Sequence, residues 1–116
     1  MNPLLVKNDT IIAIATPIGE GAISVIRVSG KQAIKVADIF FRGRSKLGNA
    51  NSHTIHYGNI VDDKAEIIDD VLVSVFKNPN SYTGEDSIEI NTHGSPYISQ
   101  KIIELFLKKD CRLAEP

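Results

Sequence analysis

The stretch from Asn80 to Gly94 constrains the fold more than any other part of the sequence. After a turn cluster, residues 87–93 alternate, with one side small or apolar and the other polar: Ile88, Ile90 and Thr92 against Ser87, Glu89, Asn91 and His93. Ser95 and Pro96 then have the form of a helix start, with Ser as N-cap and Pro at the first helical position. The pattern predicts a strand with one face in the core, whose polar face leads toward a helix N-terminus and favours ligands with hydrogen-bond donors and negative charge.

Length, charge and cysteine content limit the function classes. A chain of 116 residues is about one domain, without room for a separate catalytic domain. Its formal net charge of -1 argues against nucleic-acid binding by bulk electrostatics, but it leaves a local basic patch open. The single cysteine, Cys111, excludes an intrachain disulfide and favours a reducing compartment, so the expected location is cytoplasmic. No apolar run has the length of a membrane span, so we expect no membrane partner.

Other segments rich in β-branched residues predict further strands. Residues 10–16 are nearly all apolar, which is typical of a central strand buried on both faces. Residues 22–29 predict a second strand. The five turn residues at 17–21 lie between the two strands and predict that they pair as a hairpin. Residues 53–61 and 67–76 predict another hairpin.

Two helices complete the predicted fold. The spacing of apolar residues predicts helices at 31–41, capped by Ser29 and Gly30, and at 96–109. Residues 42–52 have the composition of a loop, and 112–116 are typical of the opening of one more strand. The expected class is α+β, with a mixed, mainly antiparallel sheet of about five strands and two helices.

Several familiar motifs are absent. Gly19 and Gly21 lack the third glycine of a dinucleotide fingerprint, and no phosphate-binding loop of the Gly-x-x-x-x-Gly-Lys-Ser/Thr type occurs. The three histidines have no cysteine or carboxylate cluster to complete a metal site, and Cys111 has no visible activating partner. The carboxylates of Glu85, Asp86 and Glu89 are compatible with an acid/base group, but side chains beside a turn are more often solvated.

Arg27 and Glu89 remain as the candidate site. Arg27 lies in an otherwise mostly apolar row of its predicted strand, where a guanidinium requires an acidic partner or a ligand. Glu89 lies on the polar side of another strand. One interpretation is a salt bridge between them or contacts with solvent. The other is a ligand pocket, in which the carboxylate accepts two parallel hydrogen bonds from a planar amino-imine edge and the guanidinium binds a carbonyl or carboxylate.

Three sequence blocks resemble a known family. They are the residues 9–23, the run Ile-Arg-Val-Ser-Gly at 26–30, and Ser-Tyr-Thr-Gly-Glu-Asp-Ser-Ile-Glu at 81–89 followed by His93 and Gly94. In order and separation they resemble the N-terminal domain of the MnmE (TrmE) family of tRNA-modifying GTPases, over nearly the whole chain. Ile18 and Ser95 depart from the family pattern, where Pro and a second Gly are usual, and these changes affect fine loop shape.

The resemblance implies a tetrahydrofolate-binding and dimerisation domain over residues 1–116, related to the folate domain of the glycine-cleavage aminomethyltransferase. It implies 5-formyltetrahydrofolate or methylenetetrahydrofolate as ligand near a homodimer junction, with the folate-contacting Arg and Glu of the family at Arg27 and Glu89. The parent protein would be a GTPase, dependent on K⁺ and Mg²⁺, that works with the flavoprotein MnmG on the wobble uridine of tRNA. Its helical domain, G domain, C-terminal catalytic cysteine and a further folate-contacting lysine are expected beyond Pro116, so this part alone is not expected to be catalytic.

Two alternatives stay open at this point. The domain is a pure dimerisation or partner-binding module whose polar strand contacts protein, or it binds tRNA directly through Arg42, Arg44 and Lys46.

Overall fold

Seven strands and two helices make up the structure, a computed structural model that describes residues 10–16, 22–78 and 85–114. The helices are α1 (Ala33–Phe40) and α2 (Pro96–Leu107), and a short 3-10 turn spans Leu47–Asn49. The strands are β1 (Thr10–Ile14), β2 (Ile23–Ser29), β3 (Phe41–Gly43), β4 (Thr54–Val61), β5 (Ile67–Phe76), β6 (Ser87–His93) and β7 (Cys111–Leu113).

All seven strands belong to one sheet, in the order β3-β4-β5-β6-β2-β1-β7. Every neighbouring pair is antiparallel except β1 with β7, so the sheet is mixed and mainly antiparallel, as the sequence predicts. Both predicted hairpins, β1 with β2 and β4 with β5, are confirmed. The sheet has more strands than the expected five because two short edge strands extend it. The strand β7 coincides with the predicted opening of one more strand at 112–116, whereas β3 was not predicted.

Both helices pack on the same face of the sheet. The rings of Phe40 in α1 and Phe106 in α2 lie 5.5 Å apart between centroids, and both side chains are fully buried. Below them lie the inward residues of the central strands, all of them buried and apolar: Ile26, Val28, Val73, Val75, Ile88 and Ile90. No helix of the described residues covers the opposite face, which we call the open face.

The polar strand and its helix are as predicted. In β6, Ile88, Ile90 and Thr92 are buried, whereas Glu89 and Asn91 are half-buried on the open face. The Ser95 hydroxyl accepts a hydrogen bond from the backbone N–H of Ile98 at 3.4 Å, with Pro96 in the first helical turn. This local pattern therefore determines both elements.

The predicted cap of α1 is wrong. Ser29 is the last residue of β2 and Gly30 has a φ of 135°, a conformation that favours glycine, so the helix begins only at Ala33. The residue before the helix, Gln32, donates its backbone N–H to the Thr10 hydroxyl at 3.0 Å. A threonine from β1, distant in sequence, thus binds a backbone N–H at the start of the helix.

Two other predictions need correction. β1 is not central: it is the second strand from one end, and its outward residues Ile11 and Ala13 are only half-buried. The predicted loop at 42–52 contains the end of β3 and the 3-10 turn, because Phe41 continues directly from α1 into an edge strand.

Some predictions concern residues outside the described ranges. They include the turn at 17–21 with its glycines and Ile18, residues 81–84 of the third family block, and the end of the last predicted strand at 115–116. Among the helices that the structure describes, none is long and apolar enough to cross a membrane.

Candidate functional site

Arg27 and Glu89 form a direct ion pair across two neighbouring strands. The register of β2 and β6 places the two residues opposite each other. The guanidinium donates from Nε at 3.0 Å and from Nη2 at 2.7 Å, and both hydrogen bonds end on Oε2 of Glu89. The contact therefore uses neither Oε1 of the carboxylate nor Nη1 of the guanidinium. Of the two sequence interpretations, the salt bridge is the one present in this structure, and it leaves hydrogen-bonding atoms for a ligand.

The pair is accessible to solvent. Its side chains are 47% and 29% exposed for Arg27 and Glu89 respectively. Ion pairs with this exposure contribute about 0.2 to 1 kcal/mol to stability, because water screens the charges and two long side chains lose freedom. Fold stability alone therefore gives only a weak reason for a charged pair in the middle of the open face.

The site lies in a grid of outward side chains. The row of Arg27 and Glu89 continues to Ser74 of β5, and the next row joins Val25, Asn91 and Leu72. An open depression of about 320 Å³ adjoins this second row, with Ile23, Leu72, Asn91 and His93 among its lining residues. The ion pair is not part of the lining of this mainly apolar depression but lies one row of side chains away from it. Polar groups close to an apolar depression are the usual composition of a small-molecule site.

Sequence reasoning missed a second polar pair at the end of β6. The Asp69 carboxylate is only 8% exposed and accepts two hydrogen bonds from His93, one from Nδ1 at 2.7 Å and one from the backbone N–H at 2.9 Å. Since the carboxylate only accepts, Nδ1 carries the proton, and Nε2 of the exposed ring is not used by this contact. Asp69 lies on the same inward face of β5 as Val71 and Val73. A carboxylate in this otherwise apolar row was the sequence signal from which a buried polar contact could have been predicted.

The other candidate residues do not assemble into a site. Asp86 accepts from the backbone N–H of Asn78 at 2.8 Å, as expected of a turn carboxylate, and no acid/base group forms with Glu89. His53 and His56 bond the hydroxyls of their neighbours Ser52 and Thr54. Within residues 10–16, 22–78 and 85–114, no group of three potential metal ligands occurs.

Cys111 has the properties of a structural cysteine. Its side chain is buried in the core, and burial, followed by the nearby charge of Asp110, raises the pKa of its thiol to about 11. At neutral pH it is therefore a protonated thiol and a poor nucleophile.

Comparison with known proteins agrees with the sequence blocks. The family described as GTP-binding protein TrmE N-terminus matches residues 10–116. The chain belongs to this family. The resemblance drawn from the sequence blocks is thereby confirmed, and it includes the strands that carry Arg27 and Glu89.

Several relatives in the TrmE family share about half of their residues with this chain. A protein of Flavobacterium johnsoniae named tRNA modification GTPase MnmE is 51% identical over 113 residues, which cover 96% of this chain and 24% of that protein. Proteins of the same name from Christiangramia forsetii and Bacillus pumilus are 52% and 50% identical over 93% of this chain, covering 23% and 24% of their own lengths. The chain thus spans about a quarter of the length of these relatives.

Proposed function

We propose that this TrmE N-terminal domain binds a reduced folate, 5-formyltetrahydrofolate or methylenetetrahydrofolate, on its open face and pairs with a second copy of itself. The observation that supports the folate proposal is the ion pair of Arg27 and Glu89, which is exposed on the open face one row of side chains away from an apolar depression. The bound folate would supply a one-carbon unit. The domain itself holds the cofactor and brings two subunits together.

The residues present fit the head group of such a ligand. A pteridine presents an amino-imine edge with two parallel donors, and a carboxylate with two oxygens matches that edge. Arg27 fixes the Glu89 carboxylate through two hydrogen bonds to Oε2, which use both lone pairs of that oxygen, so Oε1 with its two lone pairs is the acceptor left for the ligand. The guanidinium also keeps Nη1 for a ligand carbonyl. The ion pair therefore acts as a positioned acceptor and donor side by side.

The activity of the whole protein is part of the same proposal. The relatives are named tRNA modification GTPase MnmE, and we infer that the parent of this domain hydrolyses GTP with K⁺ and Mg²⁺ in its G domain. With the flavoprotein MnmG it would form a 5-carboxymethylaminomethyl-type modification at the wobble uridine of tRNA, in the cytoplasm. In that scheme the present chain provides the folate-binding site and the surface through which two subunits pair.

Glu89→Ala is expected to reduce folate affinity by about tenfold or more, since a hydrogen bond to a charged group is worth about 1.5 to 3 kcal/mol. Isothermal titration of the 116-residue chain with 5-formyltetrahydrofolate measures this change. Glu89→Gln is the informative second variant, because it keeps the shape and loses one acceptor. The control is Glu104→Gln, which removes an exposed carboxylate from α2 on the opposite face. Equal affinity for wild type and Glu89→Ala would remove Glu89 from the site.

A second candidate function, a dimerisation module without ligand, is favoured by exposed apolar side chains. On the open face, Ile23 is 60% exposed and Leu72 is 45% exposed, and both line the depression. Large apolar groups grouped in this way are typical of protein contact surfaces.

Sedimentation velocity with and without 5-formyltetrahydrofolate separates the two functions. We expect folate to shift the chain toward the dimer, because the ligand lies near the contact surface. Leu72→Lys should favour the monomer, whereas Ile39→Lys, on a partly exposed position of α1 in the helix layer, should leave the equilibrium unchanged. If the dimer fraction is the same with and without folate, the result favours the dimerisation module that binds no ligand.

A further inference from the structure

Charge is unevenly distributed along this nearly neutral chain. Residues 39–61 contain Arg42, Arg44 and Lys46 and not one Asp or Glu, which gives this stretch a formal charge of +3. Because the whole chain has a net charge of -1, the remaining residues together have -4. The low net charge is therefore the sum of one basic segment and an acidic remainder of the chain.

The fold concentrates this segment at one end of the sheet. After the last two residues of α1, this segment forms β3, the 3-10 turn and β4, and these two strands are the outermost on that side. Arg42, Arg44 and Lys46 are all exposed, and Arg42 donates to the backbone carbonyls of Ile39 and Phe41 at 3.0 and 3.1 Å. In the described part of the chain, none of the three cations forms an ion pair with a carboxylate.

Two carboxylates near this end have other partners. Asp38 accepts hydrogen bonds from the backbone N–H groups of Leu47 and Gly48 at 2.7 and 2.9 Å, which holds it within the turn. Asp70 accepts from the side-chain amide of Asn59. Within the described residues, neither carboxylate forms a direct ion pair with Arg42, Arg44 or Lys46, although Asp38 keeps its negative charge beside Arg42 and Lys46.

Apolar and aromatic side chains lie beside these cations on the open face. Ile55 and Tyr57 of β4 are 67% and 66% exposed, and a cavity of about 620 Å³ is lined by both of them together with Arg42 and Arg44. An exposed aromatic ring next to arginines is the combination with which proteins hold unpaired nucleotides: the ring stacks on a base and the cations contact the backbone phosphates.

We propose that this basic edge, defined as Arg42, Arg44, Lys46, Ile55 and Tyr57, binds RNA that contains unpaired bases. Arg44 and Lys46 contact phosphates, and Tyr57 stacks on a base held in the cavity. The inference rests on the proposed function, in which the parent protein acts on tRNA. It assigns an RNA contact to this domain itself, with Arg42 and Arg44 at the far edge of the sheet from β6. Tyr57 lies between the two sites and lines both the cavity at the basic edge and the depression near the folate site. The near-neutral total charge, which argues against bulk binding, does not argue against a local site of this kind.

The test is fluorescence anisotropy of the 116-residue chain with a labelled RNA hairpin that has a uridine-containing loop, titrated over a range of salt concentrations. The variant Arg44→Gln with Lys46→Gln should weaken binding and make the slope of log affinity against log salt shallower by about 2, one for each phosphate contact. Tyr57→Ser should reduce affinity by about 5- to 100-fold at unchanged slope, and Tyr57→Phe should retain it, because only the ring is needed for stacking.

A matched control separates a site from general charge. Lys31→Gln with Lys35→Gln makes the same change in net charge at exposed positions on α1 or just before it, and it should leave RNA binding nearly unchanged. Equal loss in both double variants would overturn the proposal, as would no measurable binding. Equal binding of a fully paired RNA duplex would remove the role of Tyr57.

Two further measurements identify the cause of a negative result. Circular dichroism shows whether each variant is folded, and titration with 5-formyltetrahydrofolate shows whether the folate site is intact. Loss of RNA binding with intact folate binding in the Arg44→Gln, Lys46→Gln double variant supports the proposal. Tyr57 is left out of this comparison because it also lines the depression near the folate site. If wild type binds folate but not RNA, only this inference fails. If anionic lipid vesicles or an acidic peptide bind the edge and RNA does not, the partner belongs to another class and the proposal is wrong.

Discussion

Phe106→Ala is expected to lower the free energy of unfolding by about 3 to 5 kcal/mol. The Phe106 side chain is fully buried between the helix layer and the sheet, where its ring contacts Phe40 at a tilt of 38°. Truncation removes the buried ring and leaves a cavity, and the surrounding strands cannot close it without breaking their register. Since domains of this size are stable by about 5 to 15 kcal/mol, the loss is a large share of the total. Urea unfolding followed by circular dichroism measures it.

The control for this prediction lies on the same helix. Tyr97 is 69% exposed, so Tyr97→Ala removes an aromatic ring of similar size from a position that buries little area. We expect a change of about 0.5 kcal/mol or less, as for surface substitutions. If both variants lost equal stability, core packing would not explain the effect of Phe106→Ala. Helix propensity would not explain it either, because Ala is a better helix former than Phe or Tyr.

Local patterns predicted the elements with the strongest signals. The alternation at 87–93 and the Ser95-Pro96 helix start depend only on near neighbours in sequence, and both are present as expected. The same holds for the two hairpins, because short turns determine which strands pair. One other local prediction, the Ser29-Gly30 helix cap, was wrong because Ser29 belongs to β2, where it pairs with Ile11 and Ser87.

The remaining features depend on contacts between distant residues. Thr10 can bind the N–H of Gln32 only because β1 and β2 pair, and no local pattern near Gln32 shows this. Sequence placed Arg27 and Glu89 on suitable faces, but their contact requires the register between β2 and β6, which are 62 residues apart at this pair. Asp69 was missed since an acidic residue at an inward position normally argues against burial.

The strand β3 shows the same limit and is connected to the proposed basic edge. Residues 41–43 have no alternation long enough to predict a strand, and the following residues have a loop composition. The strand forms because Phe41 is buried against the core and its backbone continues beside β4. A positive segment that would otherwise be a mobile loop is thereby attached to the sheet, next to Tyr57.

Gly58→Ala is expected to lower the free energy of unfolding by about 1 to 3 kcal/mol and to weaken the pairing of β3 with β4. A Cβ atom at Gly58 would meet the backbone oxygen of Arg42 and would lie 2.6 Å from two atoms of the Phe41 ring. The backbone oxygen cannot move away while Gly43 stays opposite Gly58 in the strand pair. We therefore expect faster amide hydrogen exchange at residues 41–43 than in wild type, and RNA affinity reduced together with it.

Two further variants separate the sources of this effect. Gly48→Ala adds the same methyl group near the basic edge, but its Cβ would meet only the Asp38 carboxylate at 3.3 Å, a side chain that can shift, so a smaller loss is expected. Phe41→Leu combined with Gly58→Ala should recover the part that comes from the ring, and a double-mutant cycle gives that coupling directly. A remaining loss identifies the Arg42 carbonyl as the second obstacle. If Gly58→Ala leaves both stability and exchange at β3 unchanged, close approach of the two strands does not hold the basic edge in place.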